Sequence, residues 1–557
     1  MYLKVSKPGI KRVKQARREK GWATNDATWL EQASQLVDPA LKKLPPYANG
    51  ISYGTWTRFL AGKAVNIQAL KAYCTVLGID WEEVIDRAQT PIADMERHWD
   101  WNEAPDTDLF YGRTTELMTL NNWTVQDRCR LVGVFGIGGI GKTALVAKLA
   151  IQVQADFEYI IWRTLSNISP IDQFLLSVIK FFSQQQETEL SLPQDLNGKI
   201  RRLLDYLRQH RCLLVLDGLD AILQSSAGSS LWVGAYRAGY EGYGQLLRQV
   251  GESFHQSCLL LTSREKPLHF VSLEGDSLPT RSLQLTGLNA VDSKKVLQLK
   301  GQLVGSESEW KFLIDRYAGH PLALKVVGAA AQELFCSSIS AFLQQKITIF
   351  GGIRYLLDQQ FNRLSELEKE IMYWLAIRQE PVSVTGLLAS LISPVCRQQV
   401  LEAIAALKRR FLIETSPFGY TQQPLIVEYI TERLVQQVYT EITTQKLALL
   451  TSHALIQAQA KDDIKVRQVC VILAPLAERL RNAFKTKGEL EEKLQQLVRK
   501  LPTDCAQPAG YGAENLMNLL HFLHGNLPEE PFSGVAMIPQ RSLQRIWKQE
   551  AAARPRG

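Results

Sequence analysis

One short glycine-rich segment constrains the fold of this chain more than any other. Residues 136–143 read GIGGIGKT and satisfy the pattern G-x-x-x-x-G-K-[ST]. The apolar run RLVGVF before it has the length of a strand, and TALVAKLAIQV after it has the spacing of an amphipathic helix. Glycines at such a strand-to-helix turn let backbone N–H groups converge on phosphate oxygens. We therefore expect a phosphate-binding loop, and the alternative is a glycine-rich turn without a ligand.

Each residue type in this loop has a chemical role. We expect the backbone N–H groups to surround phosphate oxygens, the Lys142 ammonium to reach the β- and γ-phosphates, and the Thr143 hydroxyl to hold Mg²⁺. The predicted cofactor-binding residues of the loop are Gly136, Ile137, Gly138, Gly139, Ile140, Gly141, Lys142, Thr143 and Ala144.

Two further polar residues follow apolar runs of strand length. Asp217 ends CLLVLD, and Arg264 follows CLLLTS. A carboxylate at a strand end is the usual partner of Mg²⁺ in phosphoryl-transfer sites, so we predict Asp217 as a catalytic and metal residue. Arg264 is the second predicted catalytic residue, because a guanidinium at this place could sense a γ-phosphate. The alternatives are an ordinary turn aspartate and an arginine held in a surface ion pair.

Length and composition exclude several classes of protein. The 557 residues correspond to about three or four domains. A hydrophobic fraction of 46% and a charged fraction of 22% exclude a disordered or collagen-like chain, and a net charge of +8 is mild for this length. The eight cysteines lie far apart and are expected as reduced thiols. Without a signal peptide or an apolar run of membrane-spanning length, we expect a cytoplasmic protein that does not contact a membrane.

The order of apolar runs predicts the domain organisation. Strand-like and helix-like runs alternate over residues 110–290, which is typical of a parallel sheet with flanking helices. The other segments are predicted as a helical domain at 1–88, a linker at 89–109, mainly helical domains at 291–350 and 351–437, a helical arm at 438–525 and an irregular tail at 526–557.

An ordered set of motifs resembles the NB-ARC module of the STAND class of P-loop NTPases. The set comprises Tyr111-Gly112-Arg113, the phosphate loop, FEYIIWRTLS, LLVLDGLD, LLLTSRE, and GHPLALKVVG with Pro321. Residues 355–437 resemble the winged helix that follows in this family. The resemblance therefore implies an α/β P-loop NTPase core, a helical ARC domain and a winged helix, and the helical runs before and after these segments predict an all-α N-terminal domain and a helical C-terminal arm.

The same resemblance implies the cofactors ADP or ATP with Mg²⁺ and roles for three more residues. Arg113 is expected beside the adenosine and Pro321 against the adenine. In the family, the His of a Met-His-Asp triplet contacts the ADP β-phosphate. Here TQQPLIVEY takes that place, and Gln423 is the candidate donor. Gly218 replaces the family's hydrolytic acid, with Asp220 off register, so we expect a slow ATPase at most.

The first 88 residues resemble a helix-turn-helix domain of the XRE/Cro type, on REKGW, YGTWTRFLAGKAV and ALKAYCTVLGIDWEEVI. In that family the helix that enters the major groove begins with small polar residues. The candidate DNA contacts are therefore Ser52, Tyr53, Thr55 and Arg58, and the candidate phosphate contacts are Arg17, Arg18, Lys20 and Lys63. Trp56 and Phe59 are expected in the core. The alternative is a helical interaction domain that does not bind DNA.

Three interpretations of function follow. The first is a signalling switch, with a role in defence or stress suggested by analogy. It is expected to be closed when ADP is bound and to self-associate when ATP is bound. Its partner would be an unidentified sensor or effector protein. The second is a transcription regulator whose DNA binding is gated by nucleotide. The third, an ATPase of the AAA kind, is disfavoured by the PLAL motif and by Gly218. Many relatives carry a C-terminal repeat array as a sensor, and we expect none in this sequence.

Overall fold

The structure, a computed structural model, describes twelve segments of the chain. They are residues 2–3, 5–22, 28–37, 51–62, 65–84, 98–101, 104–165, 169–225, 234–345, 351–392, 394–501 and 510–524. Lys63 and the predicted tail at 526–557 lie outside these segments. The chain divides into two compact units, Met1–His98 and Trp99–Gly557.

The N-terminal unit is helical, as the sequence predicts, with one very short strand pair that was not predicted. Its helices are α1 (Lys7–Glu19), α2 (Thr28–Val37), α3 (Tyr53–Leu60), α4 (Ile67–Leu77) and α5 (Trp81–Val84). The strands β1 (Tyr2–Leu3) and β2 (Val65–Asn66) pair antiparallel. The core contains Trp56 and Phe59, as expected, and Trp56 stacks on Trp29 with 4.1 Å between ring centroids.

A six-stranded sheet forms the centre of the second unit. Its strands are β3 (His98–Asp100), β4 (Leu131–Phe135), β5 (Tyr159–Thr164), β6 (Cys212–Asp217), β7 (Cys258–Ser263) and β8 (Thr280–Gln284), in the order β3-β5-β6-β7-β4-β8. The pairs β5–β6, β6–β7, β7–β4 and β4–β8 are parallel. The four apolar runs predicted as strands form β4 to β7, which confirms the parallel sheet.

Two strands of this sheet were not predicted. The strand β3 lies inside the segment 89–109, so the interpretation of that whole segment as a linker was wrong for residues 98–100. The other is β8, with the sequence TRSLQ. Both are edge strands, and their side chains are mostly half-buried, so they lack the continuous apolar runs that mark the buried strands.

Helices cover the sheet because their apolar residues recur at helical spacing. They are α6 (Thr114–Asn121), α7 (Lys142–Val153), α8 (Ile171–Phe182), α9 (Leu196–Gln209), α10 (Glu241–Glu252) and α11 (Leu268–Leu273). The helix α7 begins directly at the end of the phosphate loop and buries its apolar face, with Leu145, Leu149 and Val153 inaccessible to solvent.

The next segments are helical with one hairpin. They contain α12 (Ala290–Leu297), α13 (Glu307–Arg316), α14 (Pro321–Leu334), α15 (Ile339–Gln344), α16 (Gly351–Phe361), α17 (Glu366–Arg378), α18 (Val384–Ser390), α19 (Arg397–Arg409), β9 (Glu414–Ser416), β10 (Gly419–Thr421) and α20 (Pro424–Thr444). The hairpin follows three helices, and Val382 forms a bridge with Tyr420. This order agrees with the expected winged helix, which stays a prediction, and α20 continues past the predicted boundary at residue 437.

The C-terminal arm is helical over its described residues. It contains α21 (Leu449–Ser452), α22 (Asp462–Gln468), α23 (Ala474–Ala483), α24 (Lys487–Lys500) and α25 (Gly512–His524), with a π-helical turn at Val469–Leu473. Among the helices that the structure describes, none combines the length and apolar character needed to cross a membrane.

Candidate nucleotide-binding site

The sheet order places the predicted site residues at one edge. The phosphate loop follows β4, whose neighbours are β7 and β8, and β6 pairs with β7. Because these strands are parallel, their carboxyl ends meet at the same edge of the sheet. Asp217 ends β6 and Arg264 follows β7, so both lie at the edge from which the loop leads into α7.

Lys142 is buried against its own loop. Its Nζ donates to the carbonyl oxygens of Gly136 at 2.8 Å and Ile137 at 3.0 Å. Burial lowers the pKa of Lys142 to about 8, although the charges of Asp220 and Asp217 act to raise it. The side chain is therefore mostly charged at pH 7. A positive charge held inside a glycine loop at a helix N-terminus suits an anionic group.

Thr143 and Asp217 are 74 residues apart in sequence and in direct contact. The Thr143 hydroxyl donates to Asp217 Oδ1 at 2.8 Å, and Thr262 donates to the same oxygen at 2.6 Å. Burial raises the pKa of Asp217, while these hydrogen bonds and the charge of Lys142 oppose the shift. A hydroxyl and a carboxylate oxygen beside a lysine are the oxygen donors that Mg²⁺ prefers. The residues present thus fit Mg²⁺ with a nucleotide phosphate.

Two loop glycines are required by backbone geometry. Gly139 has φ 78° and Gly141 has φ 100°, in the region that residues with a Cβ rarely adopt. A Cβ added at Gly139 would lie 2.9 Å from both His320 and Leu322, whereas one at Gly141 would meet nothing within 4 Å. Space beside Gly141 is therefore open, and the contact at Gly139 joins the loop to the start of α14.

His320 is a site residue that the sequence analysis missed. Its Nδ1 accepts the backbone N–H of Ala323 at 3.2 Å, so the neutral ring carries its proton on Nε2, which lies 2.9 Å from the carbonyl oxygen of Gly138. Burial lowers the pKa of His320 to about 4. The imidazole therefore stays neutral at pH 7, caps α14 and holds the loop. The signal was the histidine of GHPLA, directly before Pro321 at the first turn of α14.

Arg113 holds the loop from the other side. Its Nη2 donates to the carbonyl oxygens of Thr286 at 2.6 Å and Ile140 at 3.3 Å, and its Nη1 pairs with Glu116 at 2.7 Å. The side chain is buried. The structure thus brings Arg113 to the loop. The contacts of Arg113 with an adenosine and of Pro321 with an adenine stay predictions.

Arg264 lies beside the loop at Gly138 and pairs with Asp220. The position of a Cβ on Gly138 would be 3.6 Å from Arg264 Cζ. The Arg264 backbone N–H donates to Asp220 Oδ1 at 2.9 Å, and Nε lies 3.7 Å from Oδ2, so the ion pair considered as the alternative is formed. Gly218 has φ 76°, which explains a glycine at the place where the family has its hydrolytic acid.

Gln423 is bonded away from the loop. It precedes α20, and its Nε2 donates to Glu414 at 2.7 Å. The domain at 351–437 instead meets the sheet edge through Glu265, which lies 3.4 Å from Arg410 and 3.5 Å from Arg363. Arg363 also donates to the Asp220 carbonyl oxygen at 3.0 Å. These residues, rather than Gln423, connect this domain to the site.

The candidate DNA contacts at α3 differ in whether their side chains are exposed or already hydrogen-bonded within the protein. The Ser52 Oγ accepts the Thr55 N–H at 3.1 Å and so caps the helix, and the Thr55 hydroxyl lies 2.8 Å from the Ser52 hydroxyl. Arg58 is exposed, and the side chain of Tyr53 lies outside the described residues. Binding of DNA by this unit stays a prediction.

The comparisons with known proteins agree with this geometry. Residues 113–224 match the family model of the NB-ARC domain. The matched NB-ARC segment begins at Arg113 and contains the phosphate loop and Asp217.

Curated relatives extend the similarity beyond the NB-ARC segment. The WD repeat-containing protein alr2800 of Nostoc sp., which is uncharacterised, is 42% identical over 98% of this chain and 47% of its own length. The disease resistance-like protein DSC1 of Arabidopsis thaliana is 25% identical over 50% of this chain and 22% of its own length. The chain thus spans about half or less of the length of the curated relatives it matches.

Solved structures with some similarity include two archaeal ATPases. A STAND protein with a tetratricopeptide repeat sensor from Pyrococcus horikoshii is 15% identical, with a TM-score of 0.33, over 84% of this chain and 61% of that one. A Walker-type ATPase of Pyrococcus abyssi is 14% identical, with a TM-score of 0.42, over 59% of this chain and 99% of that one.

Proposed function

We propose that this chain is a nucleotide-dependent signalling switch that binds ADP and ATP with Mg²⁺ and hydrolyses ATP slowly at most. The observation that carries the proposal is the cluster of Lys142, Thr143 and Asp217, to which the domain at 351–437 is connected through Asp220. A site for phosphate alone would not need a second domain bonded to the same strand ends.

Different residues of the site would bind the phosphates and the cation. A bound nucleotide with Mg²⁺ supplies phosphate charge and a divalent cation. Lys142 exchanges its bonds to two loop carbonyls for a charge-assisted bond to phosphate. Thr143 and Asp217 provide oxygen donors for the cation. Gly218 offers no carboxylate to take a proton from water, which favours retention of nucleotide over turnover.

A chain of contacts leads from the loop to the second domain. Arg264 lies against Gly138, pairs with Asp220 and donates to Gln359 of α16 at 3.3 Å. Arg363, just after α16, donates to the carbonyl oxygen of Asp220. A group that draws Arg264 toward phosphate would compete with these bonds and so bias the position of α16. This competition is the proposed basis of a shift between ADP-bound and ATP-bound states, the latter able to self-associate.

The identity of the nucleotide carried by the freshly purified protein tests the proposal. The protein is denatured and the supernatant is separated by ion exchange. Stoichiometric ADP is expected, and Lys142→Ala should lose it, because the Lys142 ammonium is the charge that the loop carbonyls of Gly136 and Ile137 hold in place for the phosphates. Lys148→Ala, on the same helix but outside the loop, is the matched control. Equal nucleotide in Lys142→Ala would show that the site is misassigned.

A role in defence or stress signalling is proposed from the printed names of the plant relatives, which describe disease resistance. The sensor or effector that acts with the switch is a further protein in this proposal. The assay uses light scattering to measure self-association of the chain in the presence of ATP.

Gated DNA binding is the second candidate function, favoured by the exposed Arg58 on a capped helix. It predicts a gel shift at low salt that weakens steeply as salt rises. Arg58→Ala should weaken this shift. An absence of any shift at low salt would exclude this function.

A further inference from the structure

Asp220 places a carboxylate beside Arg264 and near Lys142. It lies on a short helical turn, Leu219–Ile222, that follows β6. Its Oδ1 accepts the Arg264 backbone N–H at 2.9 Å, and its Oδ2 lies 3.7 Å from Arg264 Nε. Burial lowers the pKa of Lys142, and Asp220 opposes this shift more strongly than Asp217 does. The Asp220 carboxylate therefore acts on both cationic side chains.

Two further acids of this region are already engaged. Asp217 accepts hydrogen bonds from two hydroxyl groups, and Glu265 pairs with two arginines of the domain at 351–437. Among the described residues, the carboxylate paired with Arg264 is that of Asp220. The state of the Arg264 guanidinium therefore depends on Asp220 in particular.

The Arg264 guanidinium lies beside both Asp220 and the phosphate loop. A Cβ on Gly138 would lie 3.6 Å from Arg264 Cζ and 3.6 Å from its Nε. Its Nη1 donates to Gln359 Oε1 at 3.3 Å. A cavity of about 260 Å³ adjoins the guanidinium, with Asp220 and Gln359 in its wall, and the Arg264 side chain is 34% exposed. The guanidinium therefore has room to exchange one partner for another.

A nucleoside triphosphate brings more negative charge to the loop than a diphosphate does. A guanidinium is a strong partner for a phosphate group. To bind a third phosphate, Arg264 would give up its pairing with Asp220 and its bond to Gln359. The Asp220 carboxylate would also repel the added charge. Binding of a diphosphate needs neither change, so Asp220 disfavours the triphosphate selectively.

We propose that the Asp220 carboxylate sets the preference of the site for a nucleoside diphosphate over a triphosphate, chiefly by holding the Arg264 guanidinium away from a third phosphate. This inference rests on the proposed binding of ADP and ATP. Asp220 is a positioning residue, since it acts through Arg264. Its backbone carbonyl oxygen accepts Arg363 at 3.0 Å, so the side chain selects the nucleotide while the backbone connects the domain at 351–437.

Asp220→Asn tests the inference because it removes the charge and keeps the shape. The amide oxygen can still accept the Arg264 backbone N–H, and the bond from Arg363 uses the backbone. Dissociation constants for ADP and for adenosine 5′-(β,γ-imido)triphosphate are measured with Mg²⁺ on the nucleotide-free full chain, by displacement of a fluorescent ADP. Their ratio should shift about fivefold or more toward the triphosphate. The thermal unfolding temperature should stay close to that of the wild type.

Two controls separate this role from a general effect of charge. Asp127→Asn removes a carboxylate that pairs with Arg281 at 2.6 Å near the amino ends of β4 and β8, away from the loop, and should leave the ratio unchanged. Arg264→Gln keeps the backbone N–H and removes the guanidinium. In that background Asp220→Asn should change the ratio less, because only repulsion is left to remove. An equal change with and without the arginine would overturn the inference.

Failure of this inference can be distinguished from failure of the proposed function. If the wild type binds both nucleotides and Asp220→Asn keeps the same ratio, the inference is wrong and the proposed function stands. If the wild type binds neither nucleotide, the proposed function fails and the inference fails with it. Weaker binding of both nucleotides by the same factor in Asp220→Asn would mean that Asp220 supports the loop without selecting between them, which also overturns the inference.

Discussion

His320 connects the phosphate loop to α14, and its replacement by leucine tests that connection. Leucine is similar in size and stands before the proline in the GLPLA motif of the resembled family. It can neither cap Ala323 nor donate to the carbonyl oxygen of Gly138. The variant therefore removes two hydrogen bonds from the site and leaves the apolar packing largely in place.

The magnitude follows from the two lost bonds and from the pKa of the ring. A buried carbonyl left without its donor costs about 1–3 kcal/mol, and loss of a helix cap costs about 1 kcal/mol, so His320→Leu should be less stable by roughly 2–4 kcal/mol at pH 7. Burial lowers the pKa of His320 to about 4 from an ordinary 6.5. Between these values the unfolded chain binds more protons, so the wild type loses stability as pH falls, by about 3 kcal/mol at pH 4. Leucine does not titrate, so the difference in stability between wild type and His320→Leu should become smaller as pH falls.

Hydrogen exchange measures the local loss of stability at the amides of the first turn of α14 and of residues 136–141. The free energy of opening is compared between wild type and His320→Leu at pH 7 and pH 4.5, together with the affinity for ADP. His255→Leu is the matched control, since His255 is also buried with a pKa lowered by burial to about 4 but bonds to Val250. The control should leave exchange at the loop unchanged.

Two results would refute this account of His320. If the free energy of opening differs between wild type and variant by the same amount at both pH values, the ring is not held neutral by its surroundings. Unchanged exchange at residues 136–141 would mean that the bond to Gly138 does not hold the loop.

Two other substitutions test the same region. Arg410→Ala removes the ion-pair partner of buried Glu368 and one of the two partners of buried Glu265, so it should destabilise the contact between the sheet edge and the domain at 351–437 by about 3–5 kcal/mol, measured as increased proteolysis and a lower unfolding temperature. Gly139→Ala places a Cβ at φ 78°, 2.9 Å from His320, so it should weaken ADP binding about tenfold or more by titration. Gly488→Ala, in α24 with nothing within 4 Å, should instead raise stability slightly. A Gly139→Ala protein with unchanged affinity would contradict the packing argument.

The sheet and the loop were predictable because their signals are local. Buried parallel strands are continuous apolar runs, and β4 to β7 have them. The edge strands β3 and β8 lack such runs, since solvent reaches one side of each, and they were missed. In the same way, the core positions of Trp56 and Phe59 follow from helical spacing, whereas the hydrogen bond between the hydroxyls of Ser52 and Thr55 does not.

The sequence by itself determined the phosphate loop, because glycine, lysine and threonine at fixed spacing set the backbone and the charge at one turn. It also determined the parallel sheet and the order of the helical segments. Only the tertiary structure decided which distant residues meet. Thr143 bonds to Asp217, His320 bonds to Gly138, and Glu265 meets Arg410, over separations of 74, 182 and 145 residues. Such contacts depend on how whole elements pack, and no local pattern of residues encodes the distance between two elements.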